Sequence, residues 1–143
     1  MTPGLTRGEL AAAAEQGGRV RVVVAAPDVR VRRSLSRLLE LDGHRIVGAA
    51  DASRLLPQLD AELSPDLVVL ELNRREYAED LQIVEELARR GRPVIAVSSG
   101  SASCHAVIAA GARACLDKDV DFTDRLARAL GAVAVPRTPP PPV

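Results

Sequence analysis

Eighteen arginines and a single lysine make up the basic side chains of this 143-residue chain. That lysine, Lys118, closes the stretch Ala110-Gly111-Ala112-Arg113-Ala114-Cys115-Leu116-Asp117-Lys118-Asp119. A compact ammonium grips a single oxygen in a crowded pocket, where the planar fork of arginine does not fit. The plainer alternative is one lysine on an ordinary surface. Two other chemistry-bearing residues also close apolar runs: Glu71 near the end of Leu67 to Leu72, and Ser98 at the end of Val94 to Ser98. An acid, a hydroxyl and an ammonium at run ends would hold or imitate an anion, provided that the fold brings the ends together. His44 and His105 belong to no catalytic or metal-type constellation, and are read as structural or solvent-facing. Cys104 and Cys115 are too few for a disulfide framework and match no metal spacing, so both are expected to be small core or edge thiols.

Composition narrows the function classes. Only Tyr77 and Phe122 are aromatic, so the core must be aliphatic and a base-stacking surface is excluded. Nineteen acids balance nineteen bases, leaving no net basic field for nucleic acid or an anionic membrane. No apolar stretch approaches the length of a membrane span and residues 1–18 lack the apolar run of a signal peptide, so a cytoplasmic protein is expected. The length suits one domain with a full core.

The elements that must position those three residues follow from the apolar pattern. Val20 to Ala25, Arg45 to Ala49, Leu67 to Leu72, Val94 to Ser98 and Ala112 to Leu116 are short aliphatic runs without polar alternation, the pattern of strands buried on both faces. Between them apolar residues recur at helical spacing: Val31, Leu35, Leu38 and Leu39; Leu55, Leu56 and Leu59; Leu81, Val84 and Leu87; Val107, Ile108 and Ala110; Phe122, Leu126, Ala129 and Leu130. Asp28 caps the first helix, Asp51 or Ser53 the second and Ser101 or Ser103 the fourth, with Gly111 closing the fourth. Pro57 conflicts with the second helix and predicts a late start or a kink. Residues 1–18 read as a flexible leader and 135–143, with Pro139 to Pro142, as an extended tail, leaving 19–134 as the domain. Five strands alternating with five helices predict an α/β, flavodoxin-like doubly wound sheet of five parallel strands in the order 2-1-3-4-5. Ligands in such sheets bind beyond the carboxyl ends of the strands. Ala26, Pro27 and Asp28, then Glu71, Ser98 and Lys118, occupy those ends.

This set of positions resembles the receiver domain of bacterial two-component response regulators, over residues 19–133. Val22 to Leu35 is similar to the family's first strand and helix, Pro65 to Leu72 to its third strand with the phospho-acceptor position at Glu71, and Pro93 to Ser99 to the strand ending in the switch hydroxyl, Ser98. Ala110 to Asp119 is similar to the signature carrying the pocket lysine, Lys118, and its Lys-Asp ending to receivers that precede helix-turn-helix output domains.

The resemblance implies a phosphorelay module whose chemistry needs a carboxylate nucleophile, a divalent cation held by an acidic pair, and a lysine and a hydroxyl for the transferred oxygens. Lys118 and Ser98 are kept. The acidic pair falls on Ala26 and Pro27 and is lost, and the acceptor is Glu71, whose extra methylene displaces the carboxylate from in-line geometry. The aromatic switch position falls on Cys115, which has no ring to swing. The loop Asn73-Arg74-Arg75-Glu76-Tyr77 lacks the family's Met-Pro and Gly, and Tyr77 is expected to cover it. Glu71 then carries one negative charge where a phosphoryl group carries roughly two. With Lys118 it forms either a neutralised vestigial pocket or a permanently biased signalling state. The expectation is an atypical, pseudo-receiver type of interaction module with a signalling or transcription protein as partner. It is not an enzyme, has no metal or cofactor and does not bind nucleic acid directly. Arg32, Arg33 and Arg37 with Asp124, Arg125 and Arg128 add a possible homodimer. The alternative is a small-molecule sensor using space left at Ala26 and Ser98.

Overall fold

The computed structural model describes residues 20–59, 63–72, 77–98, 104–118 and 121–134. The expected leader at 1–18, the tail at 135–143 and the caps Ser101 and Ser103 lie outside these residues. Strands β1 (Arg21–Ala25), β2 (Arg45–Ala50), β3 (Leu67–Glu71), β4 (Val94–Ser98) and β5 (Ala114–Asp117) form one parallel sheet in the order β2-β1-β3-β4-β5. Helices α1 (Val29–Leu41), α2 (Ala52–Leu55), α3 (Tyr77–Arg89), α4 (Cys104–Ala110) and α5 (Phe122–Ala134) connect the strands and close the chain. The sequence-predicted topology is therefore the observed one.

Burial explains why aliphatic runs make this sheet. Every residue of β3 and β4 is buried, whereas β2 and β5 sit at the two edges and keep several residues partly exposed. Alternate residues feed two cores. Val22, Val24, Leu67, Val69, Ile95, Val97 and Leu116 meet Leu35 and Leu39 of α1 and Phe122, Leu126 and Leu130 of α5. Val23, Val68, Leu70, Val94 and Ala96 meet α2, α3 and α4 through Leu55, Val84, Leu87 and Val107.

Local chemistry sets the ends of the elements. The Asp28 side chain accepts the Arg30 amide at 2.8 Å and caps α1. Asp51 occupies the cap position of α2 without a side-chain hydrogen bond. Pro57 neither delays nor kinks that helix but ends it: α2 is four residues long and passes into a 3₁₀ turn, Leu56–Gln58, while Leu55 and Leu59 still reach the core. The fifth strand starts two residues later than the apolar run suggests, because Gly111, at φ +120°, turns the chain and Ala112 and Arg113 complete the descent into β5. An alanine Cβ at Gly111 would lie 2.5 Å from the Cβ of Ala88 on α3, so glycine is required there by close approach as well as by φ.

Candidate functional site

The register of the sheet places the candidate residues. Glu71 pairs with Val97, which pairs with Leu116, and Ser98 pairs with Asp117. The ladder continues past the strand ends, since the Ala26 amide donates to the Ala50 carbonyl at 3.1 Å and the Lys118 amide to the Ser98 carbonyl at 3.0 Å. Side chains alternate faces along a strand. Ala26 shares the face of Val22 and Val24, Glu71 that of Leu67 and Val69, and Lys118 that of Leu116, so all three stand on the α1 and α5 side of the sheet. Ser98 has the parity of Val94 and Ala96, and is wholly buried.

Two strand spacings, about 10 Å, separate β3 from β5, and the two longest side chains at the site close that gap. Lys118 Nζ donates to Glu71 Oε2 in a salt bridge across the end of β4. Glu71 is 8% exposed, while the Lys118 side chain keeps 30% of its surface in contact with solvent. A carboxylate pulled out of water needs such a partner, since an unpaired buried charge is costly. The acid is thus already engaged by the ammonium.

At the end of β1 the arrangement is different from what a cation needs. Ala26 is buried and Pro27 exposed, and neither offers a side-chain oxygen. The Ala26 carbonyl accepts Nη1 of Arg32 at 3.0 Å. A guanidinium is therefore already seated on this backbone oxygen. These residues do not fit a divalent cation, whose site requires several oxygen ligands. Asp28, one residue beyond, is spent on its cap: the Arg30 amide above all, with the Arg30 charge adding to it, holds its carboxyl below the usual carboxylate range. Among the described residues no group of three His, Cys, Asp or Glu side chains is placed to hold a metal ion.

Space opens beside the salt bridge rather than at Ala26 and Ser98, which are both sealed. A groove of 460 Å³ runs between α1 and the start of α5, lined among others by Asp28, Arg30, Ser34, Lys118 and Phe122. The remaining sequence candidates lie elsewhere. Tyr77 is the first residue of α3 and packs against the second core, and the loop 73–76 that it was expected to cover lies outside the described residues. His105 is exposed; His44 is buried at the start of β2, burial lowers its pKa despite the opposing charge of Asp42, and its Nδ1 has no hydrogen-bond partner.

The cysteines are corrected outright: Cys104 and Cys115 are not thiols but form a disulfide, with Cα atoms 5.6 Å apart. The reason is topological. Helix α4 runs back against the strands, so its first residue lies beside the strand that follows it, and a separation of 11 residues in sequence becomes contact with Cys115. Alternation, which puts Cys115 on the α4 side, is the signal that was legible in the sequence. Arg32 was missed as well. It lies four residues beyond the α1 cap, and helical side chains lean toward the amino end, which brings its head back over β1.

No family model and no curated protein matches the sequence. Solved structures do. A response regulator receiver protein from Burkholderia phymatum superposes with a TM-score of 0.67 at 28% identity, covering 80% of this chain and 94% of that one. A two-component response regulator of the LuxR family from an Aurantimonas species gives 0.69 at 20%, covering 82% and 86%. A DNA-binding response regulator of the LuxR family from Staphylococcus aureus gives 0.67 at 16%, covering 80% and 98%. With the strand order, the register and the site at the carboxyl ends of the strands, these likenesses establish that the chain has the fold of response-regulator receiver domains.

Proposed function

We propose that this protein is an atypical receiver of the pseudo-receiver type, working in bacterial signal transduction or transcription control as a phosphorylation-independent interaction module. Its partner is another signalling or transcription protein, it acts in the cytoplasm and it catalyses no reaction. The observation that carries this reading is the Glu71–Lys118 salt bridge, which ties up the residue at the acceptor position. A glutamate already paired with the pocket ammonium is a poor nucleophile and a fixed charge at once. Arg32 on the Ala26 carbonyl supports it, because phosphoryl transfer to a carboxylate in this fold would rely on a cation at that end of β1. Glu71 then holds permanently the position that a phosphoryl group would hold transiently.

The test is titration of the protein with magnesium and with beryllofluoride or a small phosphodonor. No binding of magnesium at millimolar concentration and no mass increase on phosphodonor treatment are expected. A phospho-adduct on Glu71, or magnesium-dependent thermal stabilisation at such concentrations, would overturn the reading.

The groove beside Lys118 supports a second reading, a small-molecule sensor. Its lining joins Lys118 and Arg30, each paired with an acid, Glu71 and Asp28, to apolar side chains of α1 and α5, and a small polar organic molecule that exchanges with those pairs would fit it. Thermal shift against a panel of metabolite carboxylates and phosphates separates the two, since the interaction module gains no stability from any of them.

A further inference from the structure

We propose that Cys104 and Cys115 are a reversible oxidation site, and that the state of this pair sets the order of α4 and β5. The inference stands on residues apart from the Glu71–Lys118 pair. Cys115 faces the second core and Glu71 and Lys118 the first, so the two sites use opposite sides of the sheet.

Three observations carry it. The bridge does not lie in the sealed interior, since Cys104 and Cys115 are both only partly buried. It joins the shortest strand of the sheet to a short helix. Helix α4 is seven residues long with Val107 as its one buried residue, and β5 is a four-residue edge strand paired only to β4. It also lies close to the candidate site: Lys118 follows Cys115 by three residues, and its amide donates to the Ser98 carbonyl of β4. A covalent tie between the start of α4 and β5 therefore adds a constraint to a short helix and an edge strand that non-covalent packing does not supply. At the position where the resemblance places a rotating aromatic ring, a bond that opens and closes does the fixing.

The chemistry balances with a dithiol as reductant and a peroxide as oxidant. One thiolate of the dithiol attacks a cysteine sulfur, and the other cysteine leaves as a thiolate that takes up a proton. The second dithiol sulfur then displaces the first cysteine, so two electrons and two protons pass to the protein and the dithiol becomes a disulfide. In the other direction a cysteine thiolate displaces hydroxide from hydrogen peroxide, forming a sulfenic acid. The second cysteine attacks that sulfur and water leaves.

The experiment uses the full chain, oxidised or reduced with dithiothreitol, read by alkylation mass shift and by amide hydrogen exchange. Reduction should expose two alkylatable cysteines, and one equivalent of hydrogen peroxide should remove both. Exchange across α4 and β5 should rise at least tenfold on reduction, while β1 and α1 change less than twofold. The Cys104→Ser, Cys115→Ser double variant should show the reduced pattern under both conditions. The proposal is overturned if peroxide yields only sulfinic or sulfonic acids, or if exchange is equal in the two states. Loss of protection throughout the sheet on reduction overturns it too, since the bridge would then be a structural staple. The magnesium and phosphodonor titration reads the other side of the sheet, so either idea can fail while the other stands.

Discussion

At the scale of single residues, the geometry of this site turns on the reach of Glu71 and Lys118. Glutamate reaches far enough to meet Lys118 across β4, and Ala26 and Pro27 bring no carboxylate to the neighbouring strand end. The prediction is an asymmetric double-mutant cycle. Lys118→Met leaves a buried carboxylate without its partner and should cost about 2 kcal/mol, below the ~3–5 kcal/mol of a fully buried pair because water reaches the lysine side of the bridge. Glu71→Gln frees a partly solvated ammonium and should cost about 1 kcal/mol or less. Combined, the two should cost less than their sum by more than about 0.5 kcal/mol in denaturant unfolding. Additive effects would show two independent charges and remove the centre of the proposed mechanism. Lys118 drew attention as the sole lysine, and Glu71 and Ser98 as residues closing apolar runs. Arg32 did not stand out, because one arginine among eighteen carries no signal until the helix cap fixes which way it points.

At the scale of elements, the strands were legible because a sheet buried on both faces demands uninterrupted aliphatic runs, and the inner strands obey that demand most fully. What the runs do not encode is how each connection lands. Pro57 shortened α2 while preserving the buried leucines on either side, since a 3₁₀ turn tolerates proline where a continued α-helix does not. The cysteine bridge required knowing that the start of α4 lies beside β5, a fact of topology that spacing alone does not state. Gly111 illustrates both levels: its role after α4 was readable, its contact with Ala88 was not. Gly111→Ala meets both a positive φ and a Cβ contact of 2.5 Å, and should cost about 3 kcal/mol. Gly91, at φ +72° with nothing within 4 Å of an added Cβ, isolates the backbone part, and Gly91→Ala should cost about 1 kcal/mol. Urea unfolding of the two variants checks the order, and equal losses would mean that α3 shifts freely away from the turn.

At the scale of the whole molecule, the balanced charge of nineteen acids and nineteen bases hides an uneven surface. Helices α1 and α5 share one side of the sheet, joined by Leu35, Leu39, Leu126 and Leu130 in a common core. Two of the arginines read from the sequence as interface charges have internal uses. Arg32 serves Ala26, and Arg125 donates to the Asp117 carbonyl at 3.4 Å. Arg33 and Arg37 on α1 and Asp124 and Arg128 on α5 remain exposed. Basic and acidic groups on adjacent helices can satisfy each other across a two-fold axis, because each copy supplies both halves of the contact. We therefore expect a homodimer through α1 and α5 that weakens as salt rises from about 0.05 M to about 0.5 M, where the Debye length falls from roughly 14 Å to 4 Å. Arg33→Glu with Arg37→Glu should yield a monomer at low salt, and adding Asp124→Arg should restore association, since the charges are then exchanged rather than lost. Sedimentation velocity reads all three states. A monomer at low salt and high protein concentration, or a dimer indifferent to both salt and charge reversal, would rule this surface out and leave α1 and α5 to the heterologous partner.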